Sequence, residues 1–319
     1  MLPEPNDKFF IEAHSPDSVH CSHCDSEAVT YIRYNGTHLC ESHFRRYLEK
    51  RVKREIRRQV ELKHGDIVSV AVSGGKDSMI ALHLLHHILK GKIDIELHCI
   101  SVDEGIAGYR LPSLEKVRSL CSKLNVPYHE VSFQEVFQTD MDLVAPRSGK
   151  NTPCTYCGVL RRKCLNSKAR EIGSRYLATG LNLDDTAQSI MMNFTRGDVE
   201  RLARMGPHLK VQKDLVPRIQ PLRTIPEKEC YLYALINKID FHGGACPYAD
   251  SALRNQYRQM VEELEDRSPG TRYSILSSYD AIAPLLRQNH PPAKLNSCSC
   301  GEPTMTEHCK ACLLIDRLS

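Results

Sequence analysis

The 319-residue sequence has no long hydrophobic run, no leader-like start and little net charge, +4 at neutral pH. No apolar stretch approaches the roughly eighteen residues that a membrane-spanning helix needs, which argues against an integral membrane protein. The first ten residues, MLPEPNDKFF, lack a basic segment followed by an apolar one, so we expect no secretory signal. With 41% hydrophobic residues, the composition is that of a globular protein, which we expect in the cytoplasm.

Cysteine, in contrast, is abundant, with fourteen in the chain. Without a secretory signal, this number favours metal ligation or redox chemistry over a disulfide framework. Two compact groups at the ends have spacings that suit tetrahedral zinc, one C-x-x-C with C-x-x-H and one C-x-C with C-x-x-C. The predicted ligands of two zinc ions are Cys21, Cys24, Cys40 and His43 in the first group, and Cys298, Cys300, Cys309 and Cys312 in the second.

The composition divides the chain into five parts. We predict an N-terminal zinc module at 1–50, a basic helical linker at 51–64, a nucleotide-binding domain at 65–225, a helical subdomain at 226–290 and a C-terminal zinc module at 291–319. Basic residues cluster at the linker, and such a segment is either a solvated helix face or a phosphate-binding surface. The clustered cations are Arg45, Arg46, Lys50, Arg51, Lys53, Arg54, Arg57 and Arg58.

Strand and helix patterns alternate through the central part. The β-branched run at 66–72 is followed by a helical pattern at 78–90. Further strands are predicted at 95–102, 128–133 and 175–179, with helices at 114–124 and from residue 184. This alternation predicts an α/β fold with a doubly wound parallel sheet, whose ligands bind at the carboxyl ends of the strands. Helical patterns at 227–239, 251–266 and 271–286 predict a helical C-terminal part.

A glycine-containing loop, Ser73-Gly-Gly-Lys-Asp-Ser78, joins the first strand of the body to its first helix. Inward-facing backbone N–H groups, a helix N-terminus and two hydroxyls predict a phosphate site. The spacing is not that of a Walker loop; it resembles the SGGxDS loop of the N-type ATP pyrophosphatases, the PP-loop superfamily. That resemblance implies cleavage of ATP between its α and β phosphates, with Asp77 helping to hold Mg²⁺ on the pyrophosphate. The predicted nucleotide-binding residues are Ala71, Val72, Ser73, Gly74, Gly75, Lys76, Asp77, Ser78, Gly180 and Asp185.

Three cysteines in the body stand apart from the rest. Cys154 and Cys157 lie on one turn just ahead of a predicted helix with basic residues, a setting that favours thiolates, and Cys246 follows two glycines. They could hold an iron–sulfur cluster with one open iron, form a redox pair with an accessory thiol, or be unrelated. The remaining cysteines, in helix and strand patterns, are predicted to be core residues: Cys99, Cys121, Cys164 and Cys230.

Several motifs together resemble the tRNA 2-thiouridine synthetases of the archaeal NcsA, bacterial TtuA and eukaryotic cytosolic type. They are the phosphate loop, Val102-Asp-Glu-Gly-Ile106 with Tyr109-Arg110, the Cys154/Cys157 pair, Thr179-Gly-Leu-Asn-Leu-Asp-Asp-Thr-Ala-Gln188 and Cys246-Pro-Tyr248. The resemblance covers nearly the whole chain. Two positions differ from the family pattern, with Leu181 where His is frequent and Arg161 where Lys is frequent. Arginine keeps the charge but cannot shuttle a proton at neutral pH.

The resemblance implies specific roles and partners. In that family Cys154, Cys157 and Cys246 would hold a [4Fe–4S] cluster whose free iron carries sulfur, or one of these thiols would carry a persulfide. Asp185 would be the catalytic aspartate, and Gly180 would lie against the nucleotide. A tRNA substrate, a homodimer and a sulfur donor are also implied, the donor being a ubiquitin-like thiocarboxylate carrier or sulfide.

The sequence therefore favours ATP-dependent tRNA 2-thiolation, in which a uridine C2 oxygen is adenylated and replaced by sulfur, with AMP and pyrophosphate released. The wobble uridine is preferred over the T-loop uridine on resemblance alone. A tRNA cytidine 2-thiolase is the nearest alternative, but such enzymes generally lack paired zinc modules. A non-catalytic zinc-ribbon RNA-binding protein is an alternative of another class, against which the complete SGGKDS loop and Asp185 argue.

Overall fold

The computed structural model describes residues 19–91, 94–149, 152–208, 212–248, 252–291 and 293–318. In this part of the chain no helix is long and apolar enough to cross a bilayer. The chain enters through a hairpin of β1 (Thr30–Ile32) and β2 (Thr37–Leu39), followed by α1 (Glu41–Gln59). The first ten residues, on which the expectation of no secretory signal depends, lie outside the described residues.

A five-stranded parallel sheet forms the centre of the molecule. Its strands are β3 (Ile67–Ala71), β4 (Glu96–Asp103), β5 (Tyr128–Ser132), β6 (Tyr176–Thr179) and β7 (Arg218–Ile219). They lie in the order β5-β4-β3-β6-β7. The chain adds β4 and β5 on one side of β3 and then returns to add β6 and β7 on its other side, so the strand order reverses between β3 and β6. The crevice between the carboxyl ends of β3 and β6 is the place where open α/β sheets bind ligands.

Helices cover both faces of the sheet. The helices of the sheet domain are α2 (Lys76–Leu89), α3 (Arg110–Leu124), α4 (Phe133–Phe137), α5 (Met141–Val144), α6 (Pro153–Ile172), α7 (Leu183–Thr195) and α8 (Val199–Ala203), with a 3₁₀ turn at Ala145–Arg147. On β3, Val68 and Val70 point into the core shared with α2, whereas β4 also sends Ile100 to the opposite face, where it packs with Ala169 of α6. The α/β fold with a doubly wound parallel sheet is therefore confirmed.

The C-terminal part is helical and ends in a small hairpin. It comprises α9 (Glu227–Ile236), α10 (Ala252–Arg267), α11 (Thr271–Asn289), β8 (Asn296–Ser297), β9 (Pro303–Thr304) and α12 (Lys310–Ile315). Helix α9 lies against α2, and α10 and α11 lie against α7. The predicted start of α10 at Ser251 and the second residue of the Pro291-Pro292 pair lie outside the described residues.

The predicted division into five parts stays a prediction, and α1 runs without a break across its first boundary at residue 50. Phe44, Leu48, Val52 and Ile56 of this helix are buried in the same hydrophobic cluster as the core of α2. The four cysteines predicted to be core residues, at positions 99, 121, 164 and 230, are all buried.

Candidate active site

The loop between β3 and α2 has the geometry of an anion site. Gly75 is the N-cap of α2, so the helix begins at Lys76, two residues before the predicted start. Ser78 Oγ lies 3.1 Å from the Ser73 backbone N and 3.2 Å from Ser73 Oγ, and it donates to the Gly75 carbonyl at 2.9 Å. The two hydroxyls are thus held together at a helix N-terminus, where the positive end of the dipole favours a phosphate.

Two glycines allow the backbone of this loop to approach its neighbours closely. Gly74 has φ +86°, and a Cβ there would stand 2.3 Å from the Ser113 carbonyl oxygen on α3. Gly180 follows β6, and a Cβ there would stand 2.7 Å from the backbone N of Ser78. Any larger residue at either position would displace the loop, so the glycines are required by the crevice itself.

Lys76 is enclosed by acidic side chains at the start of α2. Its Nζ lies 2.9 Å from Asp77 Oδ1 and 3.3 Å from Glu227 Oε1. Burial lowers the pKa of Lys76, but Asp77 and Glu227 outweigh it and raise the pKa above its usual value. Lys76 is therefore a fixed cation beside the phosphate loop.

On the other side of the crevice, Asp185 is fixed at the start of α7. Its backbone N donates to Asn182 Oδ1 at 2.9 Å, and its carboxylate accepts from the Asn182 backbone N at 3.4 Å, which forms a capping box. The adjacent Asp184 is buried, pairs with Arg272 at 2.7 Å and accepts from the Glu227 backbone N at 2.7 Å. Asp185, Gly180 and the phosphate loop thus meet at one edge of the sheet.

The structure corrects the predicted position of the cysteine pair. Cys154 and Cys157 lie inside α6, in its first turns, because Pro153 occupies the first helical position, where its missing N–H costs nothing. Cys154 Sγ lies 3.1 Å from the Tyr248 carbonyl oxygen, and Cys246 packs in the same hydrophobic cluster as Cys157. The helix and the segment 241–248 therefore bring the three predicted cysteines to one place.

The thiol chemistry also differs from the expectation of easy thiolate formation. Burial raises the pKa of Cys157 to about 11; Arg161 lowers it, but Glu104, Cys246 and Cys154 raise it further. The raised pKa favours a protonated Cys157 thiol at neutral pH, so a metal bound there would have to displace this proton.

Segment 241–248 connects the cysteines to the phosphate loop. The His242 backbone N donates to the Gly74 carbonyl at 2.9 Å, while six residues later Tyr248 contacts Cys154. The Tyr248 hydroxyl in turn donates to Asp142 Oδ1 at 2.8 Å. One short segment therefore contacts both the phosphate loop and the Cys154 thiol, a link that the sequence alone could not place.

Both predicted zinc ligand sets converge in the structure. Within the described residues, they are the only groups of three or more potential ligands whose donor atoms all lie within 4.8 Å of one another. In the first, Cys40 Sγ lies 3.2 Å from His43 Nδ1; in the second, Cys300 Sγ lies 3.6 Å from Cys309 Sγ. Backbone N–H groups of Cys300 and Cys309 lower the pKa of Cys298 to about 5. Thiolate and imidazole donors at this separation fit a tetrahedral zinc ion.

The three body cysteines do not form such a single-ion group, which suits a larger centre. Four irons and four sulfides occupy far more space than one zinc ion, so their protein ligands stand further apart. Three thiols at a partly buried apolar site fit the donor set of an iron–sulfur cluster with one iron left open.

Two protein-family models match this chain. The PP-loop domain family matches residues 48–265, and the N-terminal LIM domain of the 2-thiouridine synthetase TtuA matches residues 20–45. The first match spans the nucleotide loop and all three body cysteines. The second coincides with the first zinc ligand set.

Individual relatives align over almost the whole chain. The tRNA 2-thiolation protein NcsA of Haloferax volcanii is 35% identical over 94% of this chain and 99% of its own. The tRNA-5-methyluridine(54) 2-sulfurtransferase of Pyrococcus horikoshii is 32% identical over 92% of each chain. The U34-tRNA thiolase NcsA of Methanococcus maripaludis, solved with its [4Fe–4S] cluster, is 33% identical over 94% of this chain and 96% of its own, with a TM-score of 0.82. The chain therefore belongs to the NcsA/TtuA family of PP-loop tRNA 2-thiolation enzymes.

Proposed function

We propose that this protein replaces the C2 oxygen of a tRNA uridine with sulfur at the expense of ATP, releasing AMP and pyrophosphate. The observation that carries the proposal is the continuity of the site. Segment 241–248 contacts the phosphate loop through His242 and the first thiol through Tyr248. A nucleotide bound in the loop and a sulfur held by the cysteines would thus both reach one uridine.

The first half of the reaction is activation of the carbonyl. Uridine C2 is a poor electrophile, and oxide is a very poor leaving group. We infer that the C2 oxygen attacks the α phosphate of ATP while the loop from Ala71 to Ser78 holds the pyrophosphate. Lys76 supplies a fixed positive charge, and Asp77 would help to hold Mg²⁺ on the departing group. Asp185, across the crevice from the loop, is proposed to act at the same nucleotide.

The second half is delivery of sulfur to the adenylated carbon. Cys154, Cys157 and Cys246 would hold a [4Fe–4S] cluster, which supplies an open iron where sulfur can bind. If no cluster is present, a persulfide on one of these thiols is the alternative nucleophile; its outer sulfur would have to come from a persulfide donor, because the sulfur of sulfide or of a thiocarboxylate is already fully reduced. After the attack on C2, a second thiol of the three would cleave the S–S bond and form a cysteine disulfide, which an external dithiol would reduce. Arg161 lies one turn after Cys157 and keeps a positive charge beside the thiols. AMP leaves once the C2–S bond has formed.

The partners follow from the family and from the ligand sets. We propose two structural zinc ions, a cytoplasmic location, a homodimer, and a ubiquitin-like thiocarboxylate carrier or sulfide as sulfur donor. For the modified position we favour the wobble uridine, as in the U34-tRNA thiolase NcsA of Methanococcus maripaludis. The Pyrococcus horikoshii relative is named for position 54, and the two identities, 33% and 32%, do not separate these choices.

The test is reconstitution of the full chain under anaerobic conditions with Mg-ATP, sulfide and an unmodified tRNA transcript. Nucleoside mass spectrometry should detect 2-thiouridine, with AMP formed in proportion. Asp185→Asn and Cys246→Ser should each reduce 2-thiouridine by at least about 100-fold. Asp266→Asn, an exposed aspartate on α10, is the matched control and should retain activity.

The same experiment separates the alternatives. Transcripts with cytidine at position 34 or at position 54 show which uridine is modified, since only one should lose the product. 2-Thiocytidine in place of 2-thiouridine would indicate the cytidine thiolase. Tight tRNA binding with neither product nor AMP would overturn the enzymatic assignment. Metal analysis should give about two zinc ions and about four irons per chain.

A further inference from the structure

Arg110 is a buried residue that holds the backbone of the phosphate loop through a hydrogen bond. It opens α3 and is only 3% exposed. Its Nη1 donates to the Ser73 carbonyl at 2.6 Å, and its Nε lies 2.7 Å from the Val102 carbonyl oxygen. One guanidinium therefore fixes the first residue of the loop to the carboxyl end of β4.

Glu104 connects this arginine to the cysteine helix. Its side chain is 4% exposed; Oε2 lies 2.8 Å from Arg110 Nε, and Oε1 lies 3.4 Å from Arg161 Nη1. Arg161 belongs to α6, one helical turn after Cys157. A single buried carboxylate thus touches two arginines, one that holds the nucleotide loop and one that stands beside the thiols.

A carboxylate in this position is costly to keep for stability alone. A buried ion pair usually gains little over apolar residues of the same size, whereas loss of one partner leaves an uncompensated buried charge. The two arginines also need fixed positions for different reasons. If the phosphate loop moves, the hydrogen bond from Arg110 to the Ser73 carbonyl moves the Arg110 guanidinium with it. The Glu104 carboxylate, which pairs with both Arg110 and Arg161, then has to shift as well.

We propose that Glu104 is a positioning residue that couples the nucleotide loop to the cysteine site through Arg110 and Arg161. The inference rests on the proposed adenylation and sulfur transfer, because it states how the phosphate loop and the cysteine site are held in fixed positions relative to each other. Glu104 contacts no substrate itself. Its effect on either half-site passes through an arginine.

The coupling is measurable without turnover, as the affinity of the full chain for α,β-methylene-ATP by titration calorimetry. Arg161→Gln should weaken this affinity about threefold to tenfold, although the side chain that Arg161 pairs with is Glu104, outside the phosphate loop. Glu104→Gln, which keeps the shape and removes the charge, should weaken it by at least as much. Since Arg161 is half-exposed, its variant is expected to fold even where Glu104→Gln is unstable.

A double-mutant cycle then tests for coupling itself. With the Glu104–Arg161 contact already broken by either change, the second change should add little, so the double variant should bind like Glu104→Gln. Arg118 and Glu130, paired at 2.7 Å on the surface, give the matched control. Arg118→Gln, Glu130→Gln and their double variant should all bind the analogue like wild type.

A second readout separates positioning from general loss of structure. When the wild-type cluster is reduced, the analogue should change its electron paramagnetic resonance spectrum, and saturating analogue should produce a smaller change in Arg161→Gln. Unaltered analogue affinity in Arg161→Gln, or additive effects in the cycle, would overturn the proposal. Neither result bears on whether the wild-type protein thiolates tRNA, so this inference can fail while the proposed function stands.

Discussion

Two glycines with similar positive φ angles differ, at the residue scale, in what surrounds them. Gly65 has φ +80° and Gly74 has φ +86°, but a Cβ at Gly65 would meet nothing within 4 Å, while one at Gly74 would meet Ser113 O at 2.3 Å. Gly65→Ala should therefore cost only the left-handed strain, about 1 kcal/mol of unfolding free energy. Gly74→Ala should in addition displace the phosphate loop and weaken binding of α,β-methylene-ATP at least about tenfold.

Chemical denaturation and calorimetric titration of the two variants check this prediction. Gly65→Ala serves as the control, since it carries the same backbone strain without the contact to α3. Equal nucleotide affinity in both variants would contradict the idea that the loop depends on its close approach to Ser113.

His83 should make the fold less stable in acid. Burial, helped by His87, His86 and Arg45, lowers its pKa to about 4, below the value of 6.5 for a free histidine. As the pH falls from about 6.5 to about 4, the unfolded chain takes up this proton before the folded one, so folding free energy is lost in that window. His83→Gln, which can keep the hydrogen bond to Tyr233 Oη, should lose less stability than wild type between pH 7.5 and pH 5.

The comparison is made by urea unfolding at the two pH values. His290→Gln, at an exposed position just after α11 and away from His83, is the control and should follow the wild-type pH dependence. Other acid-sensitive groups are common to all three proteins, so their contribution cancels in the comparison. A His83→Gln protein as acid-sensitive as wild type would contradict the prediction.

At the residue scale, the sequence identified functional groups whose residues follow one another in the chain. It missed groups whose residues are far apart in the chain and meet only in the folded structure. The SGGKDS loop was predictable because strand, turn and helix follow one another directly in the chain. The contact of Glu104 with Arg161 joins residues 57 positions apart. The buried pair of Arg51 with Glu229, at 2.7 Å, joins residues 178 positions apart. Such contacts depend on how helices pack, which no local pattern specifies.

At the element scale, α1 separates its cations into two kinds. Arg51 is buried against Glu229, while Lys53 and Arg58 lie 3.8 and 3.9 Å from Glu49 and Glu55 on the same helix. Every third or fourth residue on the opposite face is an exposed cation without an acidic side chain in ion-pair distance among the described residues. These cations are Arg46, Lys50, Arg54 and Arg57.

This exposed stripe predicts an RNA-facing surface. Lys50→Gln/Arg54→Gln should weaken tRNA binding about fivefold or more and reduce the slope of log affinity against log salt by about two, one for each phosphate that the helix no longer neutralises. Lys53→Gln/Arg58→Gln removes the same charge from the same helix, but at paired positions, and should change both quantities less. Filter binding at several salt concentrations measures them, and equal losses in the two double variants would contradict the stripe.

Elements with strong local patterns were predictable and short ones were not. The helical pattern predicted at 114–124 is real, but α3 begins four residues earlier, at Arg110, whose buried side chain bonds to the Val102 and Ser73 carbonyls outside the helix. Strand β7 has only two residues and exists because it pairs with β6. Helix α11 continues through Pro284, an internal proline that ends many helices.

At the scale of the whole molecule, the two predicted zinc modules pack on different hydrophobic cores. Ile32 and Leu39 of the N-terminal hairpin belong to the cluster that contains residues of α1 and α2, including Met79 directly after the phosphate loop. Cys298, Cys309 and Leu314 of the C-terminal module belong to a second cluster with the first half of α6. Cys157 and Cys246 are packed against that second cluster. Each module therefore supports a different half of the site.

Loss of the C-terminal zinc should therefore disturb the cysteine site, whereas loss of the N-terminal zinc should leave the cysteine site intact. Cys298→Ser should remove one zinc and also most of the iron from the anaerobically reconstituted protein, because α6 loses part of the core that positions Cys154 and Cys157. Cys21→Ser should remove one zinc, keep the iron and instead weaken binding of α,β-methylene-ATP. Metal analysis and calorimetry on the two variants measure both effects. Equal iron loss would mean that the modules act on the fold as a whole, whereas the expected opposite pattern assigns one zinc module to each half of the site.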